Sequence, residues 1–123
     1  MQSFFLVFIG GGLGSVLRYF VGLKLNQETL PYGTFIVNIL GSLLIGLLMG
    51  YHLKSANQPL TENQIALLII GILGGFTTFS SFMYENYQFL INEQYIKFIS
   101  YTFTSLLIGF TAVFFGFILG KQI

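Results

Sequence analysis

The side chains able to do acid–base or covalent chemistry are few and scattered: one histidine, His52, the glutamates Glu28, Glu62, Glu85 and Glu93, and no aspartate or cysteine. An enzyme needs an acid, a base or a nucleophile held against its substrate. His52 falls at the end of an apolar run and every glutamate is read as lying outside the apolar cores, so the sequence reads as a non-enzyme. Without cysteine there is no disulfide and no thiolate metal site. No phosphate-binding loop of the P-loop pattern is present, which removes nucleotide-driven pumping. Proton-coupled carriers place an ionisable side chain within the membrane. Arg18 is the candidate, and a guanidinium does not release its proton in the working range. A passive route fits these residues better than a pump.

What remains is a set of uncharged hydrogen-bonding groups inside apolar runs: Ser15 beside Arg18; Thr34, Asn38 and Ser42; Thr77, Thr78, Ser80 and Ser81; and Ser100, Tyr101, Thr102, Thr104, Ser105 and Thr111. A track of such donors can replace part of a small anion's hydration shell while holding it weakly enough to release it. Phe76, Phe79 and Phe82 fall three apart, which on a helix places them on roughly one face. Their ring edges carry the positive part of the aromatic quadrupole. Each feature also has an ordinary reading on residue type alone. A phenylalanine row packs or meets lipid, Asn38 bonds a neighbouring helix, Arg18 snorkels to the interface, Gly74 and Gly75 allow close packing, and serines and threonines bond their own helix.

The elements that must position these groups are membrane spans. Of 123 residues, 54% are hydrophobic and 7% charged, against about a quarter charged in soluble domains. A span needs about 20 apolar residues, and four stretches supply them: residues 3–23, 32–53, 65–90 and 96–119. The expected architecture is an all-α membrane protein, one four-helix domain over residues 1–123, in a cell membrane of the inner or plasma type. The links LNQETLP, KSANQPLTENQ and NEQY are short and polar, and they contain Pro31 and Pro59, where a proline interrupts no helix. The start of the chain lacks a basic region and a cleavage site, so it reads as the first span rather than a signal peptide. The centre of the third stretch, GILGGFTTFSSF, is poor helix material at mid-membrane depth and predicts a broken helix. Irregular backbone there must be buried in protein or line a polar cavity. Small residues four apart, in Gly10/Gly14, Ser42/Gly46, Gly46/Gly50, Gly71/Gly75 and Gly116/Gly120, predict close helix approach within or between subunits.

Four spans put both termini and the second link on one side. Lys54 and Lys121 then oppose Lys24 and Lys97, with Arg18 near the end of the first span. A bias this small should not fix one orientation, which makes insertion both ways round an expectation. No basic patch suggests nucleic acid.

Taken in order, GGGLGSVLRY (10–19), PYGTFIVNILGSLLIG (31–46) and GILGGFTTFSSF (71–82) resemble the signature blocks of the Fluc/CrcB fluoride channels, and the resemblance spans the whole chain. Ser15 stands where the family commonly has alanine and Ser81 where threonine is usual. The resemblance implies passive, fluoride-selective efflux that lowers cytoplasmic fluoride toxicity, through an antiparallel dual-topology homodimer or a pair with a homologous chain. By the same resemblance, Phe79 and Phe82 match the phenylalanines whose edges meet fluoride, and Asn38 the asparagine facing the pore. Gly74 and Thr77 match the positions whose backbone carbonyls bind a central, non-transported Na⁺, and Arg18 resembles the vestibule arginine. Thr78, Ser80, Tyr101 and Ser105 resemble parts of the polar track. Two rivals stay open: a small multidrug transporter, which depends on a glutamate inside the first span where this chain has none, and a non-conducting subunit of a heterodimer.

Overall fold

The computed structural model describes residues 1–27, 29–54 and 59–123. The expected link positions at Glu28 and residues 55–58 lie outside the described residues. Four apolar helices are each long enough to cross a membrane: Gln2–Leu25, Tyr32–Leu53, Glu62–Ile91 and Tyr95–Gln122. The third is interrupted at Thr77 and Thr78, leaving a proximal half at residues 62–76 and a distal half at Phe79–Ile91. These helices cover the four apolar stretches and run a few residues past most of their ends.

Local chemistry sets the ends. The Asn26 N–H bonds the Gly22 carbonyl, while its side-chain oxygen accepts the Thr34 N–H at 3.2 Å, so one residue closes the first helix and caps the second. Pro31 precedes the second helix, where its missing N–H costs nothing. The third span opens on a capping box: Thr61 accepts the Gln64 N–H, and Gln64 accepts the Thr61 N–H at 2.9 Å. Residues Ile65–Leu73 then form a π-helix, wider than an α-helix. The third link turns sharply at Glu93, whose φ of 57° is left-handed.

Glycine fixes which helices pair. A Cβ on Gly10 or Gly14 would come within 3.0 Å of the proximal half's backbone, at Leu67 and Ile72 respectively, and one on Gly75 would meet Gly11. The first helix and the proximal half thus lie backbone to backbone. Gly46 and Gly50 meet Val113 and Phe117, while Gly116 and Gly120 meet Leu43 and Leu47, which makes a second seam between the second and fourth helices. Both seams lie within one subunit. The distal half instead leans on the fourth helix through side chains, with Phe82, Phe89 and Tyr101 buried together. Phenylalanines along the remaining faces are open, among them Phe4, Phe8 and Phe114, as a lipid-facing surface requires.

Candidate functional site

The break in the third span is built on Asn38. Thr77 has ψ 160° and Thr78 has φ −151° and ψ 117°, both extended. In a continuous α-helix the Thr78 N–H would bond the Gly74 carbonyl. Here it donates to the Asn38 side-chain oxygen at 2.8 Å, and the Asn38 amide donates back to the Thr78 carbonyl at 3.0 Å. One side chain thereby satisfies both backbone groups of an extended residue at mid-span. The interhelical hydrogen bond that residue type favoured for Asn38 is present, in a bidentate form.

Below the break, Thr78 caps the distal half. Its hydroxyl oxygen accepts the Ser81 N–H at 3.2 Å and its hydroxyl donates to Ser81 Oγ at 3.0 Å, with Ser80 Oγ 3.4 Å away. Above it, the Thr77 hydroxyl bonds its own helix at the Leu73 carbonyl, 3.0 Å away. The row expected for Phe76, Phe79 and Phe82 is cut, because the extended residues separate Phe76 from the other two. Phe79 and Phe82 do stay neighbours, with ring centroids 6.2 Å apart. Phe82 is 6% exposed and Phe79 is 71% exposed.

A groove of about 500 Å³ runs along this surface, and it brings together Asn38, Gly74, Thr77, Thr78, Phe79, Phe82 and Ser105. Among the described residues the buried Ser105 hydroxyl has no hydrogen-bond partner. Gly74 lines the groove, and a Cβ there would make only an ordinary contact with the Ile69 carbonyl at 3.8 Å, so close packing explains Gly75 but not Gly74. Gly74 and Thr77 both line this groove, and the Gly74 carbonyl has lost the Thr78 N–H it would accept in a continuous helix; backbone oxygens of this kind would suit a hard cation. Among the described residues no cluster of His, Asp or Glu could hold a metal by side chains.

Arg18 lies elsewhere, in a cavity of about 490 Å³ lined by Ser15, Thr34, Ser81 and Glu85 among others. Glu85 corrects the expectation that every glutamate lies outside the apolar cores. It sits in the distal half, one turn past Ser81, and accepts hydrogen bonds from the Thr34 hydroxyl and from the Tyr101 hydroxyl, the latter at 2.8 Å. Its signal was positional: the stretch 65–90 already contained it, and it follows Phe82 at helical spacing. Tyr101 is buried in contact with Phe82, at 5.3 Å between centroids, rather than in the groove. The two cavities have no lining residue in common, and Thr78 of the groove is hydrogen-bonded to Ser81 of the Arg18 cavity.

The chain matches the family described as CrcB-like protein, Camphor Resistance (CrcB), over residues 5–117. It is 46% identical to a protein of Gloeothece citriformis named fluoride-specific ion channel FluC, covering 99% of each chain. Proteins of the same name from Flavobacterium psychrophilum and Aquifex aeolicus are 43% and 39% identical, each covered in full along with this chain. With four spans, a third span broken at the TTFS block and a family match over nearly its whole length, the chain belongs to the CrcB family.

Proposed function

We propose that the chain is one half of a fluoride-selective channel that lets fluoride leave the cytoplasm down its gradient, as the names of its full-length relatives suggest. The observation that carries this reading is the groove, where the buried Ser105 hydroxyl, unpartnered among the described residues, shares a lining with Phe79 and Phe82 around a helix break. Fluoride sheds water only for close donors. Ser105 offers a free O–H, and the phenylalanines offer weakly positive edges that bind without trapping. Arg18 and the Ser15 and Ser81 hydroxyls make the neighbouring cavity an entry where an anion gathers before dehydration. Ser80 and Tyr101 serve beside this path, Ser80 through Thr78 and Tyr101 through Phe82 and Glu85. The mechanism is electrodiffusion, with no chemical step.

A second copy, inserted upside down, completes the groove. Phe79, Leu106 and Phe110 line it and are largely exposed, at 71%, 60% and 79%, so one wall is missing from the single chain. The near balance of lysines between the two ends supports antiparallel insertion. Sodium held by the Gly74 and Thr77 carbonyls would supply fixed positive charge beside the anion path. The glutamate-dependent transporter reading loses ground because the first helix, Gln2–Leu25, contains no glutamate.

The decisive measurement is efflux from liposomes containing only this protein. Fluoride flux with little chloride flux is expected; no fluoride flux from a folded dimer, or equal chloride flux, overturns the assignment. Flux appearing only with a paired homologue would make the chain a subunit of a heterodimer.

A further inference from the structure

Asn86 is 3% exposed and lies on the distal half between Phe82 and Phe89. Its amide donates to the Phe82 carbonyl at 2.9 Å, and its side-chain oxygen accepts the Thr102 hydroxyl of the fourth helix at 2.7 Å. An amide at 3% exposure inside an apolar bundle carries a desolvation cost that packing alone does not require. The adjacent pair, Glu85 with Tyr101, makes a second bond between the same two helices. Two consecutive residues on one helix thus grip two consecutive residues on the other. This fixes both the rotation of the distal half and the height of the fourth helix against it. Among the described residues no glycine seam does this for the distal half: the nearest atoms that an added glycine Cβ would meet all belong to other elements.

We infer that Asn86 and Thr102 are positioning residues for conduction: together they set where the Phe82 edge stands relative to Ser105, one turn beyond Tyr101 on the fourth helix. Neither side chain lines the groove, so neither meets the ion. Their action runs through Phe82, whose carbonyl Asn86 holds and whose ring packs on Tyr101. A shift of the distal half by a fraction of a turn would move the Phe82 ring away from the Ser105 hydroxyl while leaving the fold closed by its two glycine seams, which lie between the other elements.

The inference rests on the channel reading, and the test separates the two. Single-channel fluoride current in planar bilayers is compared for the unaltered chain, Thr102→Val, Thr102→Ser, Asn86→Leu and the double variant Asn86→Leu/Thr102→Val. Thr102→Val keeps size and should lower unitary current about threefold, in keeping with one interhelical hydrogen bond of ordinary strength in a membrane. Thr102→Ser should restore it. The double variant should be no worse than Asn86→Leu, because the pair acts as one unit. A purely structural role would reduce the number of active channels and leave the unitary current of each unchanged. That result, or an unaltered current in Thr102→Val, overturns the inference while the channel reading stands. Absence of fluoride current from the unaltered chain would instead overturn the channel reading itself. If Asn86→Leu does not fold, the Thr102 pair alone decides.

Discussion

Asn38 holds Thr78 by both of its backbone groups, at 2.8 and 3.0 Å, across the break of the third span. Removing that amide strands a peptide N–H and a carbonyl at mid-membrane depth, each at a cost of about 1–3 kcal/mol. Asn38→Ala is expected to lose most fluoride flux in the liposome assay and to lower thermal stability in detergent. Asn38→Asp keeps the acceptor for the N–H but sets a carboxylate against the Thr78 carbonyl, and should fare no better.

Phe79 and Phe82 should separate when stability and flux are measured on the same variants. Phe82 is buried against Tyr101, so Phe82→Ile reshapes a packed site and should cost about 1 kcal/mol of stability. Phe79→Ile changes an open ring and should leave the subunit's stability within about 0.5 kcal/mol. Both should reduce fluoride efflux; unchanged efflux in both would return these rings to a packing role.

The glycine seams give a prediction independent of the ion. Gly14→Ala and Gly120→Ala place a methyl within 3.0 Å of facing backbone, at Ile72 and Leu47. Thermal unfolding in detergent should show both as strongly destabilised, by several degrees or more. Gly12→Ala has nothing within 4 Å and should match the unaltered chain.

Glu85 and Tyr101 are coupled by a 2.8 Å hydrogen bond. Tyr101→Phe and Glu85→Gln should each slow efflux, and the two effects should fall short of adding, with an interaction of about 0.5–3 kcal/mol in a double-mutant cycle. Strict additivity would mean that the contact does not matter to conduction.

Replacing sodium by a bulky organic cation on both sides of the membrane should slow fluoride efflux. Thr77→Val should not mimic that loss, because it removes a hydroxyl that bonds Leu73 and leaves the Thr77 carbonyl in place. A large effect of Thr77→Val with none from sodium removal would argue against the proposed cation site.

The spans were legible because a bilayer imposes long apolar runs, and the break because Gly74, Gly75 and the Thr77–Thr78 pair are poor helix material in the middle of one. Glycine spacing announced tight seams but not their partners: nothing local to Gly14 names Ile72, and nothing local to Gly50 names Phe117. Glu85 escapes a linear reading for a related reason. Its polar company, Thr34 and Tyr101, stands 51 and 16 residues away, so its place inside the bundle is a property of the assembled fold. Asn86 left no periodic signal either, since a lone amide in a helix is usually solvated or bonded locally.

The two glycine seams also bear on how the chain is made. They join the first helix to the third span and the second helix to the fourth, so each tight pairing bridges a helix that was synthesised in between. As the chain emerges from the ribosome, the first two spans enter the lipid before the backbone partner of either seam exists, joined to each other through Asn26 and Thr34. Assembly becomes possible when the proximal half of the third span arrives, and it is completed only by the last helix. A chain stopped after residue 54 would hold neither seam.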